Sequence, residues 1–424
     1  MREMKDSGIE WVGQIPVTWD IHPVYSYFGE RKNKNSFGNE NNLLSLSYGR
    51  VIRKDINANG GLLPESFNTY NIVEADDIII RPTDLQNDKR SLRTGLVKEH
   101  GIITSAYIDL CPIKHVDSRY FHYLLHAYDV TKVFYNMGNG VRQGLNYSEF
   151  SKLMVFEPSY AEQVSIADFI DAKCSEIDAL SADIQTQIDT LEQYKRSVIT
   201  EAVTKGLNPD AEMKDSGVFY MAPMNAQWRL TKIGYICTKL SRLFTPEDTA
   251  LICSNSGKVL VRPDDVTGKM VSDDNAMQGI HAGDIAIHGM DTWHGAIALS
   301  DSDGKITRVV HVCDSTEDKR FIVYYLQHLA FQGVYKLISN GVRGNTSDFR
   351  SWDKVSDIWI AIPKTKEEQK NICDYLDRQC KSIEKVIAEK KEQLEVLDEY
   401  KKSLIYEYVT GTVSYTHLTL PTIL

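Results

Sequence analysis

The sequence lacks the features that mark membrane, secreted and zinc-binding proteins. No apolar run approaches the ~18 residues that a membrane-spanning helix needs. The stretch from Met1 to Ile15 mixes charges of both signs and has no apolar core of a secretory signal. The seven cysteines are scattered, with no Cys-x-x-Cys pair, which argues against a disulfide framework or a zinc site. We therefore expect a protein of the reducing cytoplasm.

Catalytic motifs are missing too. No Gly-x-Gly-x-x-Gly follows a predicted strand and no Gly-x-x-x-x-Gly-Lys-Ser/Thr is present, so neither a dinucleotide site nor an ATP motor is predicted. Residues 146–150 spell Asn-Tyr-Ser-Glu-Phe, unlike the Asn/Asp-Pro-Pro-Tyr of an amino-methyltransferase. His288, Asp291 and His294 could be pictured as metal ligands, but they lack a recognised spacing. We predict no catalytic residue, no metal site and no cofactor in this chain.

The charge balance is acidic, which is unusual for a protein that binds DNA alone. The formal net charge is −10. Residues 21–156 carry 16 Lys and Arg against 14 Asp and Glu, residues 157–206 carry 4 against 10, and residues 207–360 carry 16 against 19. No segment shows the basic stripe that neutralises phosphates. If DNA is the ligand, a partner would supply much of the phosphate contact.

What the sequence does contain is one internal repeat, in a chain whose 424 residues predict two or three domains. Met4-Lys-Asp-Ser-Gly8 recurs at an offset of 209, Asn139-Gly-Val-Arg142 at 201, and a long match from Glu162-Gln163 to Val203-Thr204 at 206. Between these matches the two copies barely agree. A shared frame with different interiors suits a reader of two unlike half-sites, although a duplication that drifted would leave the same pattern.

Two long segments without internal Pro or Gly predict helices with a coiled-coil seam. The first segment runs from Tyr160 to about Lys205, and its second apolar row holds Cys174, Leu180, Ile188 and Tyr194. The seam residues of the two helices are Ile177, Ile184, Leu191, Val198, Ile383, Ile387, Leu394, Leu397 and Leu404. Antiparallel pairing is the simplest arrangement. At 1.5 Å per residue, ~45 residues span roughly 65 Å, and a turn of B-DNA is about 34 Å. A plain structural coiled coil is the alternative.

Short strand patterns mixed with helical ones predict an α+β class, with two globular α/β domains separated by two long helices that form an antiparallel coiled coil in a pseudo-twofold repeat. Predicted strands are Asn42–Ser47, Ile78–Arg81, Gly101–Leu110, Ala250–Ser254, Lys258–Arg262, Asp284–His288, Ala296–Leu299 and Arg308–Val312. Predicted helices in the globular segments are Tyr120–Asn136 and Phe321–Leu337. Predicted boundaries are 1–156, 157–212, 213–362 and 363–412, followed by an uncharged tail, 413–424, that does not continue the repeat and is expected to be extraneous.

Polar side chains cluster on the predicted loops. Arg and Lys suit guanine O6 and N7, and Asn and Gln suit adenine, so these loops are candidates for reading bases. The first-segment candidates are Arg81, Asp84, Gln86, Asn87, Lys89, Arg90, Arg93, Arg142, Gln143 and Asn146, and the second-segment candidates are His288, Asp291, Thr292, His294, Arg343 and Asn345. Taken alone, such a cluster is more often a solvated loop.

The ordered set of motifs resembles the specificity (S) subunit of type I restriction–modification systems. The residues that carry the resemblance are Met4-Lys-Asp-Ser-Gly-Ile-Glu-Trp11, Ile15-Pro16 to Trp19, Leu43-Leu-Ser-Leu-Ser-Tyr-Gly49, Ala75-Asp-Asp-Ile-Ile-Ile-Arg81, Leu85-Gln-Asn-Asp-Lys-Arg-Ser-Leu-Arg93, Ile103 to Tyr107, Gly140 to Pro158, and Glu162 to Thr204. The resemblance covers nearly all of residues 4–412. Its specificity lies in the order of the motifs and in their appearing twice.

The resemblance implies that each globular segment is a target-recognition domain that reads one half of a bipartite double-stranded DNA target. It implies that the helices set the spacer and dock two modification (M) subunits, which carry S-adenosylmethionine and methylate adenine. Two restriction (R) subunits can join and supply translocation and cleavage with ATP and Mg. The second segment has no counterpart of Leu85 to Arg90, so its base-reading residues are less defined. A coiled-coil adaptor that binds only protein and a stand-alone nuclease are the alternative functions.

Overall fold

The computed structural model describes residues 3–9, 11–57, 64, 66–83, 85, 92–137, 144–263, 276–339 and 348–412. The chain forms two compact units. The first unit comprises residues up to Ile184 together with those from Glu392 onward, and the second comprises Gln185–Lys391. Each unit therefore combines a globular α/β part with a segment of each long helix. This division cuts through both helices, whereas the sequence analysis assigned the helices to separate spacers.

Within the residues that the structure describes, the globular part of the first unit consists of short strands, one helix of 13 residues and one of four residues. Its elements are β1 Met4–Asp6, β2 Gln14–Pro16, β3 Asp20–Pro23, β4 Phe28–Glu30, β5 Leu44–Ser47, β6 Arg50–Arg53, β7 Asn71–Val73, β8 Ile78–Ile80, β9 Thr94–Leu96, β10 Gly101–Ile103, β11 Ile108–Pro112, α1 Ser118–Val130, α2 Tyr147–Phe150 and β12 Met154–Glu157. The long helix α3, Tyr160–Thr204, follows.

The second unit repeats this order. Its elements are β13 Met213–Lys214, β14 Met224–Asn225, β15 Arg229–Lys232, α4 Ile233–Ile236, β16 Cys237–Lys239, β17 Leu251–Cys253, β18 Val259–Val261, β19 Met277–Ile280, β20 Ile285–His288, β21 Ile297–Leu299, β22 Gly304–Thr307, β23 Val310–Ser315, α5 Lys319–Phe331, α6 Val334–Ile338, α7 Trp352–Ser356 and β24 Trp359–Ile362. The long helix α8, Lys366–Val409, follows.

The two units share one sheet topology. Each has a four-stranded antiparallel sheet, in the order β4-β11-β8-β9 in the first unit and β16-β23-β20-β21 in the second. Strand β8 consists of three fully buried isoleucines, as expected of a central strand covered on both faces. Hairpins β5-β6 and β17-β18 are also equivalent, as are the pairs β7-β10 and β19-β22. The two copies therefore share one fold even in the segments between the sequence matches, where their sequences barely agree.

Some predicted elements were too long. The predicted strand Gly101–Leu110 is two strands, β10 and β11, because a turn bonded from the Tyr107 amide to the Thr104 carbonyl separates them. The predicted helix Tyr120–Asn136 ends at Val130, where Lys132 adopts a positive φ before a 3₁₀ turn at Val133–Asn136. In the second unit Gly333, also at positive φ, separates α5 from α6.

The long helices bury an alternating three- and four-residue stripe within each unit. Of the predicted seam residues, Ile177, Ile184, Val198, Ile383, Ile387, Leu397 and Leu404 are buried, and Leu191 and Leu394 are half-buried. The predicted second row was partly wrong, because Leu180 and Tyr194 are 39% and 54% exposed. Counting alternately by four and three from Ile177 leads instead to Ser181 and Lys195, each one position further along and half-buried.

Within each unit the helix segments run antiparallel. In the first unit Phe169 of α3 stacks on Tyr408 of α8 with ring centroids 4.5 Å apart, while Asp178 further along α3 meets Lys401. In the second unit Lys195 of α3 bonds Glu384 of α8. Both helix segments of each unit also contribute to its main apolar cluster. In the described part of the chain, no helix is long and apolar enough to span a membrane.

An arginine clamp joins each globular part to its helix segment. In the first unit Arg119 of α1 bonds Asp168 and Asp171 of α3 at 2.7 and 2.9 Å, and the Tyr123 hydroxyl donates to Asp171. Bonds from Asp117 and then from the α3 carboxylates raise the pKa of Arg119. The second unit repeats the clamp with Arg320, Asp374, Asp377 and Tyr324.

A buried glutamine accompanies each clamp. The Gln163 side chain accepts from the Asp117 amide at 3.0 Å and donates to the Pro158 carbonyl at 2.9 Å. Gln369 makes the equivalent bonds to Asp318 and Pro363. The glutamine of the repeated Glu-Gln pair is thus explained by a junction that both units use.

Candidate nucleic-acid interface

In the first unit the two predicted polar loops start from neighbouring positions. The segment after β8 is closed at its base by the Arg81 amide, which donates to the Arg93 carbonyl at 2.8 Å. Beside it, the Leu145 amide donates to the Pro82 carbonyl at 2.9 Å. The flanks of the clusters 81–93 and 142–146 are therefore brought together at the end of the central strand.

The second unit brings the equivalent segments together. The Phe349 amide donates to the Gly289 carbonyl at 3.0 Å, and the Gly289 amide donates to the Val309 carbonyl at 2.9 Å. Glycine is required at position 289, because a Cβ there would lie 2.8 Å from the Phe349 oxygen and 3.0 Å from the Val309 oxygen. His311 seals the junction with a 2.7 Å bond from Nε2 to the Phe349 carbonyl. Both units thus bring the flanks of two loops together at the same end of the sheet.

Arg93 is a correction to the predicted set, because it is fully buried. Its Nε donates to the Tyr135 hydroxyl at 2.9 Å, its guanidinium lies 5.1 Å from the Tyr135 ring centroid, and another nitrogen donates to the Thr83 carbonyl. Asp129, also buried, accepts from the Arg93 amide, and burial raises the pKa of that carboxyl. In this arrangement Arg93 holds the base of the loop and does not reach a base edge.

Two further candidates of the first unit lie at the junction itself. Asn146 is exposed, but its Oδ1 caps α2 by accepting the Glu149 amide at 3.0 Å. Ser148 also donates to the same oxygen. Arg81 is half-buried. Asn146 therefore has a structural task that the sequence analysis did not assign to it.

The His288 cluster of the second unit lies on the turn that follows β20. The His288 Nδ1 accepts the Asp291 amide at 3.1 Å and lies 3.2 Å from the Asp291 carboxylate. Burial lowers the pKa of His288, which favours the neutral ring and leaves Nε2 as the N–H donor. His294 is exposed and Asp291 is half-buried, so both can meet a ligand.

Thr292 is the second correction, because it is fully buried inside the 3₁₀ turn Thr292–His294 and cannot face DNA there. Among the described residues, no group of three or more His, Cys, Asp or Glu side chains is placed to hold a metal ion. The remaining candidates lie outside the described residues: Asp84, Gln86, Asn87, Lys89, Arg90, Arg142, Gln143, Arg343 and Asn345.

Asp109 is a buried titratable residue that sequence reasoning missed. It lies on β11, 1% exposed and 3.8 Å from Arg31, whose guanidinium pairs with the buried Asp77 at 2.8 Å. Burial, then the neighbouring Asp77 carboxylate, raise the pKa of Asp109 to about 8. The second unit keeps the ion pair as Arg242 with Asp284 but has Val312 at the position of Asp109. No sequence signal distinguished this aspartate from surface ones.

A cavity of about 870 Å³ lies in the first unit between the β5-β6 hairpin, α1 and the helix segments. His122 and His126 line it, and burial lowers their pKa values to about 3 and about 4. The equivalent space in the second unit is about 270 Å³. Gln327, at the position of His126, crosses it to bond the Ile297 carbonyl at 2.7 Å.

The architecture matches solved structures. A chain from a structural study of complex assembly and conformational transition of the type I restriction–modification (R-M) system superposes with a TM-score of 0.65 at 12% identity, over 94% of this chain and 99% of that chain. The fold is one found in a type I R-M system. At 12% identity this likeness concerns the fold.

Two other structures are similar at lower scores. The HsdS subunit from Thermoanaerobacter tengcongensis gives a TM-score of 0.45 at 12% identity, over 96% of this chain and 100% of that chain. The type I S subunit from M. genitalium gives 0.38 at 14% identity, over 92% and 96%. No protein-family model and no curated protein sequence matches this chain.

Proposed function

We propose that this chain is the DNA sequence-specificity subunit of a type I restriction–modification complex in the cytoplasm. The observation that carries the proposal is the repeated unit. Both units have a four-stranded sheet with the same strand order, and in each unit two loops start side by side at the same end of that sheet, while the loop sequences differ between the units. The fold match to a protein of a type I R-M system supports it. Each globular part reads one half of a bipartite target, and the paired helices set the spacing.

The chain supplies recognition and its partners supply chemistry. Two M subunits dock on the helices, bind S-adenosylmethionine and methylate adenine, and R subunits add ATP- and Mg-dependent cleavage. The acidity of residues 157–206 favours partners with basic surfaces, which also provide the phosphate contacts that this chain offers sparsely.

Purification with a type I adenine methyltransferase subunit tests the proposal. We expect a stable complex that binds one bipartite sequence about a thousandfold or more tightly than random duplex at physiological salt. The chain alone is expected to bind both weakly. A complex that forms but shows no sequence preference would favour a protein-binding coiled-coil adaptor instead.

At single residues we expect Arg142→Ala and Arg343→Ala each to weaken recognition of one half-site by about 1–3 kcal/mol, the usual value of a bidentate base contact. Binding assays on targets with either half randomised would measure this. Equal weakening on all sequences would identify a phosphate contact.

A further inference from the structure

In the first unit, a triad of charges joins the β5-β6 hairpin to both helices. Asp178 of α3 accepts from Arg50 of the hairpin and from Lys401 of α8, each at 2.6 Å. Their side chains are 42%, 67% and 24% exposed in that order. We call these residues the first triad.

The second unit has the same arrangement. Glu384 of α8 accepts from Lys258, which immediately precedes β18 in the β17-β18 hairpin, at 2.9 Å and from Lys195 of α3. Burial alone would raise the pKa of Glu384, but the two lysines outweigh it and lower the pKa. The side chains of Glu384, Lys258 and Lys195 are 37%, 56% and 25% exposed, close to the values of the first triad. We call them the second triad.

The triads share charge and geometry while their residues differ. Arginine on one hairpin corresponds to lysine on the other, and aspartate on one helix corresponds to glutamate on the other. The helices also exchange roles, since the acid belongs to α3 in the first unit and to α8 in the second. The hairpins themselves differ in sequence. What both copies retain is the connection from hairpin to helix pair.

Stability alone does not account for this arrangement. Exposed ion pairs contribute only about 0–1 kcal/mol, whereas each unit already has a large buried apolar cluster that its helix segments complete. Ion pairs between a hairpin and two helices do, however, restrict the orientation of the hairpin relative to those helices.

Each triad lies one heptad from a clamp on the same helix. Asp171 of the clamp and Asp178 of the triad are seven residues apart on α3, as are Asp377 and Glu384 on α8. Seven residues are two helical turns, or about 10.5 Å, so both carboxylates face the same globular part. Apolar packing is non-directional, so a second polar attachment about 10.5 Å from the clamp adds resistance to rotation of the globular part on its helix pair.

We propose that the two triads are positioning residues that fix the rotation of each globular part on its own helix pair, and so restrict the spacer length accepted between half-sites. This inference rests on the proposed function. The triads touch neither bases nor a reacting group, so they act on spacing and leave the sequence of each half-site unchanged.

The test compares methylated motifs in cells that carry the M subunit with the wild-type chain or a variant. Arg50→Gln and Arg53→Gln form a matched pair, because both arginines lie on β6, 67% and 70% exposed. Among the described residues, however, Arg53 pairs only with Glu99 of its own globular part. We expect Arg50→Gln to raise the methylated fraction at spacers one base pair longer or shorter, and Arg53→Gln to leave it unchanged.

Charge reversal gives a sharper readout. Asp178→Lys opposes both cations and is expected to raise off-length methylation about tenfold, the effect of about 1.4 kcal/mol. Adding Arg50→Glu and Lys401→Glu restores both pairs with inverted sign and should restore the single spacer. Glu384→Lys with Lys258→Glu and Lys195→Glu repeats the test in the second unit.

The possible outcomes distinguish a failure of the proposed function from a failure of the proposed role of the triads. No bipartite motif with the wild-type chain overturns the proposed function. A wild-type motif whose spacer stays fixed in Arg50→Gln and Asp178→Lys overturns this inference. Weaker methylation at an unchanged spacer assigns the triads to stability alone and also overturns it.

Discussion

At the residue scale, burial decides which polar side chains can meet a ligand. Arg93 and His294 were equal candidates in the sequence, yet Arg93 is fully buried and His294 is exposed. An arginine that bonds a tyrosine hydroxyl and a loop carbonyl supports the loop from inside. Residues that support a loop and residues that read bases are drawn from the same amino-acid types, so composition alone did not distinguish them.

Asp109 gives a pH prediction. Its pKa of about 8 in the folded unit exceeds the value of about 3.9 in an unfolded chain. Between these values the unfolded chain loses the proton and the folded unit keeps it, so stability of the first unit falls as pH rises from about 4 to 8. Asp109→Asn removes this penalty, and its advantage should grow by roughly 1.4 kcal/mol for each pH unit of that window.

Hydrogen exchange of β8 and β11 at pH 5 and pH 8, corrected for intrinsic rates, would measure the effect. Asp109→Val, which copies Val312 of the second unit, is the matched comparison. An advantage of Asp109→Asn that is equal at the two pH values would contradict the assignment of a raised pKa.

The two cavity histidines give a prediction of opposite sign. Burial lowers the pKa values of His122 and His126 to about 3 and about 4, below the unfolded value of about 6.5. The unfolded chain therefore takes up protons first, and stability that is fully present above pH 6.5 is lost as the pH falls towards 4. The double variant His122→Val, His126→Gln copies Val323 and Gln327 and should resist acid better.

Thermal unfolding of the wild type and this double variant between pH 7 and pH 4.5 would show a gap that widens with acid. A gap that is constant across the range would mean that the histidines take up protons in the folded unit as readily as in the unfolded chain. Nearby Lys401 and Lys402 further lower the pKa of His126, and Asp398 partly opposes them.

At the element scale, the helices were the most predictable part of the chain. The apolar seam and the absence of internal Pro and Gly predicted both helices to within a few residues of Tyr160–Thr204 and Lys366–Val409. The prediction of the second seam row was partly wrong, because Ser181 and Lys195 occupy seam positions while Leu180 and Tyr194 face outward. Hydrophobicity misleads there, since Lys195 is held in the seam by Glu384 and not by apolar packing.

The clamps and the triads were not predicted, because their partners lie far apart in sequence. The Asp-x-Arg-x-x-x-Tyr spacing at Asp117 and again at Asp318 was a signal that could have been found, since it continues the repeat at offset 201. The clamp carboxylates, such as Asp171 and Asp377, repeat at the offset of 206 instead. An alignment made at a single offset therefore matches either the arginines or the carboxylates of the two clamps, but not both.

The glutamine junction can be tested by truncation. Gln163→Ala leaves the Asp117 amide and the Pro158 carbonyl without their side-chain partner in a buried place, and it should destabilise the first unit by about 1–3 kcal/mol. Gln369→Ala should do the same to the second unit.

Gln185→Ala is the control, since that glutamine is exposed on α3 and, within the described part of the chain, bonds only along the helix to Asp189. Hydrogen exchange of α1 and α5 reports on each unit separately. If Gln163→Ala does not loosen α1, the junction does not hold the globular part to α3.

At the scale of the whole molecule, the account rests on duplication. One architecture appears twice, with the same sheet order, clamps, glutamine junctions and triads, while the loops at the end of β8 and β20 differ. A symmetric scaffold with unlike reading loops suits an asymmetric, two-part target. The chain's net charge of −10 is consistent with a reader that relies on partners for phosphate contacts.

The most direct measurement is the methylome of cells that express this chain with a type I adenine methyltransferase subunit and no other modification enzyme. The account predicts methylated adenine in one motif made of two unlike half-sites with a fixed spacer. It further predicts that replacing the loops of one unit changes one half-site only. A continuous motif, or a change in both half-sites after altering one unit, would contradict the claim that each unit reads one half of the target.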